Sequence, residues 1–342
     1  MTVPFKAQIS NLVWTLSRPR YVFEWVKRWK TVPVFSWLRA ADCFLKKDFV
    51  SAAIHYNRGI NKIKEHPALF CAKLDYAYCL YRTGELNEPL KILNRMCLEL
   101  TPHRDCYLLG AKINYYLGKF DSAAMIIKNG LILFPLDISL LCSMVHYTIF
   151  NKGEISSIEE YISTLASLKR TISLDDARQQ LIDTAVSHYH LYSENFEEGE
   201  RILARVLAAG NAPYEAVYIK AERLFDLGRI IPAREQLSRA IRLAPRSPYP
   251  QRLLAESYLL DTEFAEPEWA VQFALKSVKL SNWKNITCLQ TLIKAYQRNN
   301  DHTTAELVEE RCKSIETDYK YLPLSQLKII LSDNLPRTAK LT

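Results

Sequence analysis

Apolar positions along residues 69–135 recur at helical spacing, and then the whole pattern recurs. Residues 69–102 read LFCAKLDYAYCLYRTGELNEPLKILNRMCLELTP, and residues 103–135 read HRDCYLLGAKINYYLGKFDSAAMIIKNGLILFP. Gly84 and Gly118 stand 34 residues apart, each is followed two residues later by an apolar residue (Leu86, Phe120), and each segment closes in proline. Apolar residues three and four apart predict amphipathic helices. Within 107–117 the small Ala111 permits a close crossing, and Gly118 ends that helix because glycine takes positive φ without penalty. Phe120 and Ala123 open the next helix, Ile127 and Gly130 continue its buried face, and Pro135 stops it, since proline cannot continue a helix. A period of this length predicts a solenoid of helix pairs, and such a stack presents a concave surface for holding partners.

The pattern returns most clearly at residues 214–245. Ala221, Gly228, Ile230, Ala233, Leu237, Ala240 and Pro245 keep the mutual distances of Ala111, Gly118, Phe120, Ala123, Ile127, Gly130 and Pro135. This order of small, glycine, apolar, alanine, large apolar, small and proline resembles the tetratricopeptide repeat. The resemblance implies an all-α fold, a right-handed α-solenoid of about eight helical hairpins. It says little of function, because many unrelated partners are bound by this architecture.

The other units are weaker echoes. Residues 36–66 give Ala40, Phe49, Ala52, Tyr56 and Gly59, with Lys47 where glycine would stand. Residues 139–170 keep Gly153, but Ile158, Ile162 and Leu165 replace the small residues. Residues 180–210, 248–280 and 286–317 supply the remaining units, and the stretched spacing between Gly153 and Phe196 predicts a longer helix or loop near 168–178. The expected organisation is a basic aromatic segment over 1–35, the solenoid over 36–317, and a capping helix (Leu324–Leu331) with a tail over 318–342.

In the family the first helix of each unit lines the inner wall. Projected onto this sequence, the resemblance assigns that wall Leu74, Tyr78, Tyr81 and Arg82, then Leu108, Lys112, Tyr115 and Tyr116, then Tyr147, Phe150 and Asn151, then His188 and Tyr192, then Tyr218, Glu222 and Phe225. Tyrosine joins large contact area and low rotamer entropy to a polar tip, which suits a peptide or protein partner. Relatives that clamp acidic chaperone C-termini need Lys and Asn on adjacent first helices. Here Leu74, Tyr78, Leu108 and Lys112 stand there, too little charge to neutralise a carboxylate pair.

Composition modifies this picture at the N-terminus. Net charge is +8, of which residues 1–50 carry +6, so the repeat body is near neutral and nucleic acid is not an expected partner. Tyr21, Trp25 and Trp29 recur every four residues, with Lys27, Arg28 and Lys30 beside them. This helix reads as a cap over the apolar end of the solenoid. The alternative is docking to an anionic membrane surface, and a third reading is a transit peptide. Eight cysteines without C-x-x-C spacing fit a reduced, cytoplasmic setting. Neither a spanning helix nor a secretory signal is evident.

Catalytic signatures are missing from the sequence. It has nine glycines and no Walker, dinucleotide-binding, G-x-S-x-G or H-E-x-x-H motif. His188 and His190 point about 200° apart on a helix and cannot share a metal unaided. Asp175-Asp176 and Glu197-Glu198 suit helix starts. The expectation is a non-catalytic scaffold or adaptor without cofactor or metal, holding a protein or peptide in a tyrosine-rich groove. The alternative is a membrane-peripheral assembly factor, membrane-associated through its N-terminal helix, that recruits an envelope or polysaccharide-synthesis complex.

Overall fold

The computed structural model describes residues 33–61, 69–98, 103–260, 263 and 265–321. The expected N-terminal docking residues Trp25, Lys27, Arg28, Trp29 and Lys30, and the expected C-terminal capping helix, lie outside them. The described residues are all-α, with sixteen helices and no strand. They pair into eight hairpins: α1 (Pro33–Leu45) with α2 (Phe49–Ile60), α3 (Leu69–Thr83) with α4 (Asn87–Leu98), α5 (Arg104–Tyr116) with α6 (Phe120–Leu133), and α7 (Ile138–Phe150) with α8 (Ser156–Thr171). The series continues with α9 (Asp176–Tyr192) and α10 (Phe196–Ala208), α11 (Tyr214–Asp226) and α12 (Ile230–Leu243), α13 (Pro248–Leu259) and α14 (Pro267–Leu280), and α15 (Ile286–Arg298) and α16 (His302–Tyr321). Each helix packs mainly on its neighbours in sequence.

Small residues set the crossings within hairpins. Ala111 and Ala123, and likewise Ala221 and Ala233, have no exposed surface. Without bulk beyond Cβ they let two backbones approach, and Ile127 and Leu237, equally buried, fill the space behind them. One hydrophobic cluster runs through the middle of the array from Leu74 to Leu254.

In seven of the eight hairpins the turn has one described residue in the left-handed region. Gly84 (φ 101°), Gly118 (78°) and Gly228 (71°) supply it where the repeat is strongest. Elsewhere a residue bearing a side chain takes that conformation: Lys47 (62°), Lys152 (54°), Glu194 (62°) and Asn300 (59°). In the fourth hairpin the left-handed residue is therefore Lys152, one position before the Gly153 that the repeat pattern suggested. The stretched spacing resolves into longer helices, 16 residues in α8 and 17 in α9, joined by a short link. Asp175 caps α9, its carboxylate accepting from Arg178 N at 2.8 Å.

The array curls until its later hairpins meet its earlier ones. Tyr249 donates its hydroxyl to Tyr115 O, 134 residues away, at 2.5 Å. Asn285 Nδ2 donates to Tyr116 O at 3.2 Å, Lys284 Nζ donates to Asn87 Oδ1 at 2.6 Å, and Arg246 donates to Arg82 O. At this seam Gly118 is constrained twice. Its φ is left-handed, and a Cβ there would sit 3.0 Å from Asn285 Cγ.

Candidate functional site

The first helices of the hairpins turn their aromatic residues inward, and curling brings these rings together. Tyr78 and Tyr81 of α3 have ring centroids 6.3 Å apart, and Tyr81 lies 6.2 Å from Tyr116 of α5. Tyr115 meets Tyr147 at 5.0 Å and Phe150 at 5.3 Å, both from α7, and Tyr249 of α13 at 4.4 Å. Phe150 continues to His188 of α9 at 5.0 Å and to Tyr218 of α11 at 6.2 Å. Tilted and edge-on pairs at these distances contribute about 0.5–1.5 kcal/mol each beyond their area.

Of the residues projected onto the inner wall, Tyr81, Tyr115, Tyr116, His188 and Tyr218 are buried. Tyr78, Lys112, Tyr147, Phe150, Tyr192, Glu222 and Phe225 are half-buried, and Arg82 is exposed. Arg82 lies over the Phe49 ring at 4.4 Å and donates to the Tyr78 hydroxyl at 2.9 Å. Tyr192 donates to Gly153 O at 2.8 Å, tying the fifth hairpin to the fourth.

Two polar groupings inside the curve were not visible in the repeat pattern. His188 pairs with His146, Nδ1 to Nδ1 at 2.9 Å. One ring donates its Nδ1–H and the other accepts at a bare Nδ1. Burial holds His146 down at about 4, and burial with the neighbouring His146 holds His188 well below the usual histidine range. His190, by contrast, faces Asn195 on the outer side of α9.

The second grouping lies deeper along the curve. Arg252 donates to Glu256 at 2.6 Å, and Thr291 donates to the same carboxylate oxygen at 2.8 Å. Beside them burial pushes the Glu222 carboxyl up to about 7, against the opposing pull of Tyr218 and Arg252. No group of three or more His, Cys, Asp or Glu among the described residues is placed to hold a metal. All eight cysteines are free thiols, seven of them buried.

A cavity of about 170 Å³ opens between α5, α7 and α11, lined by Lys112, Tyr147, Phe150 and Glu215 among others. Burial disfavours the charge of Lys112, but its surroundings, Tyr81 and Glu215 first, outweigh that and hold it protonated. A second cleft, about 340 Å³, lies along the seam between Lys119 and Lys284. Burial lowers both lysines, and Lys284 is lowered further by Lys119.

This arrangement is that of a helical-repeat protein. No protein-family model and no curated protein sequence matches it. Solved structures do. A tetratricopeptide repeat protein from Parabacteroides merdae ATCC 43184 superposes with a TM-score of 0.54 at 15% identity, covering 77% of this protein and 98% of that one. Human IFIT1, as a dimer with PPP-AAAA, superposes with a TM-score of 0.50 at 14% identity, covering 83% of this protein and 68% of that one. The protein has the tetratricopeptide-like fold that its repeat pattern led us to expect. Among the described residues no helix is long and apolar enough to cross a membrane.

Proposed function

We propose that this protein is a non-catalytic scaffold whose inner face holds a peptide or protein segment of a partner. The observation that supports this is the run of aromatic rings contributed by α3, α5, α7, α9 and α11, of which Tyr78 and Phe150 are only half-buried. Large, stiff aromatic side chains are efficient anchors for a partner, because little rotamer entropy is lost on binding. The nearly neutral repeat body favours a protein segment over nucleic acid. The alternative, a membrane-peripheral assembly factor, depends on Trp25, Trp29 and their basic neighbours, which lie outside the described residues.

Photo-crosslinking tests the reading. A photoreactive residue replaces Tyr78 or Phe225 on the inner face, or the exposed Met125 on the outer face of α6. Partner adducts from the inner positions are expected. Adducts confined to position 125 would refute the inner face as the binding surface.

A further inference from the structure

The cavity between α5, α7 and α11 gathers several polar groups of opposite character along one wall. Some polar groups of the interior find one another, Tyr214 with Ser247 at 2.8 Å, Tyr249 with Tyr115 O, and Glu256 with Arg252 and Thr291, while Asn94 Oδ1, Gln236 Oε1 and Gln251 Oε1 find no partner among the described residues. Around this cavity several groups have no hydrogen-bond or ion-pair partner among the described residues. They include the Lys112 ammonium, the Glu215 carboxylate and the hydroxyls of Tyr147, Ser143 and Tyr116. Lys112 and Glu215 sense each other's charge without forming an ion pair. Lys112 keeps only the distant face of the Tyr116 ring, 6.0 Å from its Nζ.

Polar groups withdrawn from bulk water ordinarily find partners, and several left open around one cavity call for an explanation. Here the open groups are complementary: a fixed cation on α5, a fixed anion on α11, and two hydroxyls on α7 between aromatic walls. The cavity, about 170 Å³, is slightly larger than an engineered one of about 150 Å³ that holds benzene. That is room for one small molecule and too little for a folded peptide segment. Lys112, Ser143, Tyr147 and Glu215 are half-buried, so solvent and solutes can reach them.

We propose that this cavity binds a free α-amino acid as its zwitterion. The ligand carboxylate meets Lys112 and the Tyr147 hydroxyl, its ammonium meets Glu215, and an apolar side chain lies against Phe150 and Tyr218. Burial raises the Tyr147 hydroxyl above its ordinary range, which keeps its proton available for donation. His146, held neutral, adds no competing cation to the wall. The site goes beyond the scaffold reading, since a small ligand here would act whether or not the inner face also holds a protein.

The test is thermal-shift screening of the full-length protein with the standard α-amino acids, followed by calorimetric titration of those that raise the melting temperature. At least one amino acid with an apolar side chain is expected to bind. Its N-acetyl and carboxamide derivatives each lose one charge-assisted contact and are expected to bind at least about tenfold more weakly. Lys112→Met and Glu215→Gln are expected to weaken binding by a similar factor. If neither variant folds, the two derivatives on the unaltered protein still decide the matter. No amino acid binding in the millimolar range overturns the proposal. Undiminished binding of the N-acetyl form would point instead to the C-terminus of a peptide, and of the carboxamide to the N-terminus of one, and either result overturns the zwitterion.

Discussion

Glu222 gives a stability term whose sign can be measured. Burial lifts its carboxyl from 4.5 to about 7 in the folded protein. Between those values the folded state holds a proton that the unfolded state has released. The stabilisation is therefore present at low pH and fades as pH rises through about 7. Moving from about pH 7.5 to about pH 5 should gain the fold roughly 2 kcal/mol from this group. His146 acts in the opposite sense. Its folded value is depressed from 6.5 to about 4, so the folded state holds fewer protons than the unfolded one below about pH 6.5. Over the same interval it should cost roughly 2 kcal/mol, and His188 adds in the same direction. The two kinds of group offset each other, and the wild type should acidify with a muted loss of stability. Glu222→Gln keeps the shape and a hydrogen-bonding oxygen near Tyr218 but removes the titration. Urea unfolding of both proteins at several pH values should show the variant losing about 2 kcal/mol more than wild type between about pH 7.5 and about pH 5. Parallel stability curves for the two proteins would refute the reasoning.

Three further outcomes follow from named contacts. Lys152→Gly and Glu194→Gly relieve a left-handed turn residue that costs about 1–2 kcal/mol with a side chain, so each variant should unfold at a higher urea midpoint. Ala123→Leu or Ala233→Leu should lower stability by about 1–3 kcal/mol by overpacking a crossing with no free surface; a wild-type melting curve for either would show that the helix crossing has room to spare. Asn285→Asp keeps the oxygen that accepts from Thr287 N and Cys288 N but removes the donor to Tyr116 O. It should raise the radius of gyration in small-angle scattering while leaving helix content by circular dichroism unchanged, and an unchanged radius would show that this contact does not hold the seam.

The hairpins were legible in the sequence because a repeat states the same local rule many times. Ala111, Gly118, Ala123 and Ile127 each act within one hairpin or on the next, so their spacing carries their meaning. Lys152 shows the limit of that rule. The turn geometry is kept while the glycine beside it, Gly153, is out of register. The inner wall was projected by the same logic, and the pairings among its residues were beyond it. His188 finds His146 across 42 residues, and Tyr249 finds Tyr115 across 134. Those distances are set by the accumulated rotation of several hairpins, which no single repeat encodes. The open groups around the cavity belong to the same class: Lys112 and Glu215 face one another only because α11 returns to α5.

The seam also explains how the curl is held. The last carbonyls of any helix lack intrahelical donors and usually turn to water. In this fold Arg82 O, Tyr115 O and Tyr116 O end α3 and α5, and each receives a side-chain donor from residues 246, 249 or 285. Asn285 works at two helices at once. Its Oδ1 accepts from Thr287 N and Cys288 N at the start of α15, while its Nδ2 donates to Tyr116 O and to the Tyr249 hydroxyl, both at 3.2 Å. The start of one helix and the ends of two others are thereby satisfied by one another across a turn of the array. Uncurling would break these hydrogen bonds together, each worth about 0.5–1.5 kcal/mol net once water takes the place of the lost partner. An array whose hairpins touch only their neighbours flexes like a spring. The seam adds to this one contacts between hairpins far apart in the sequence.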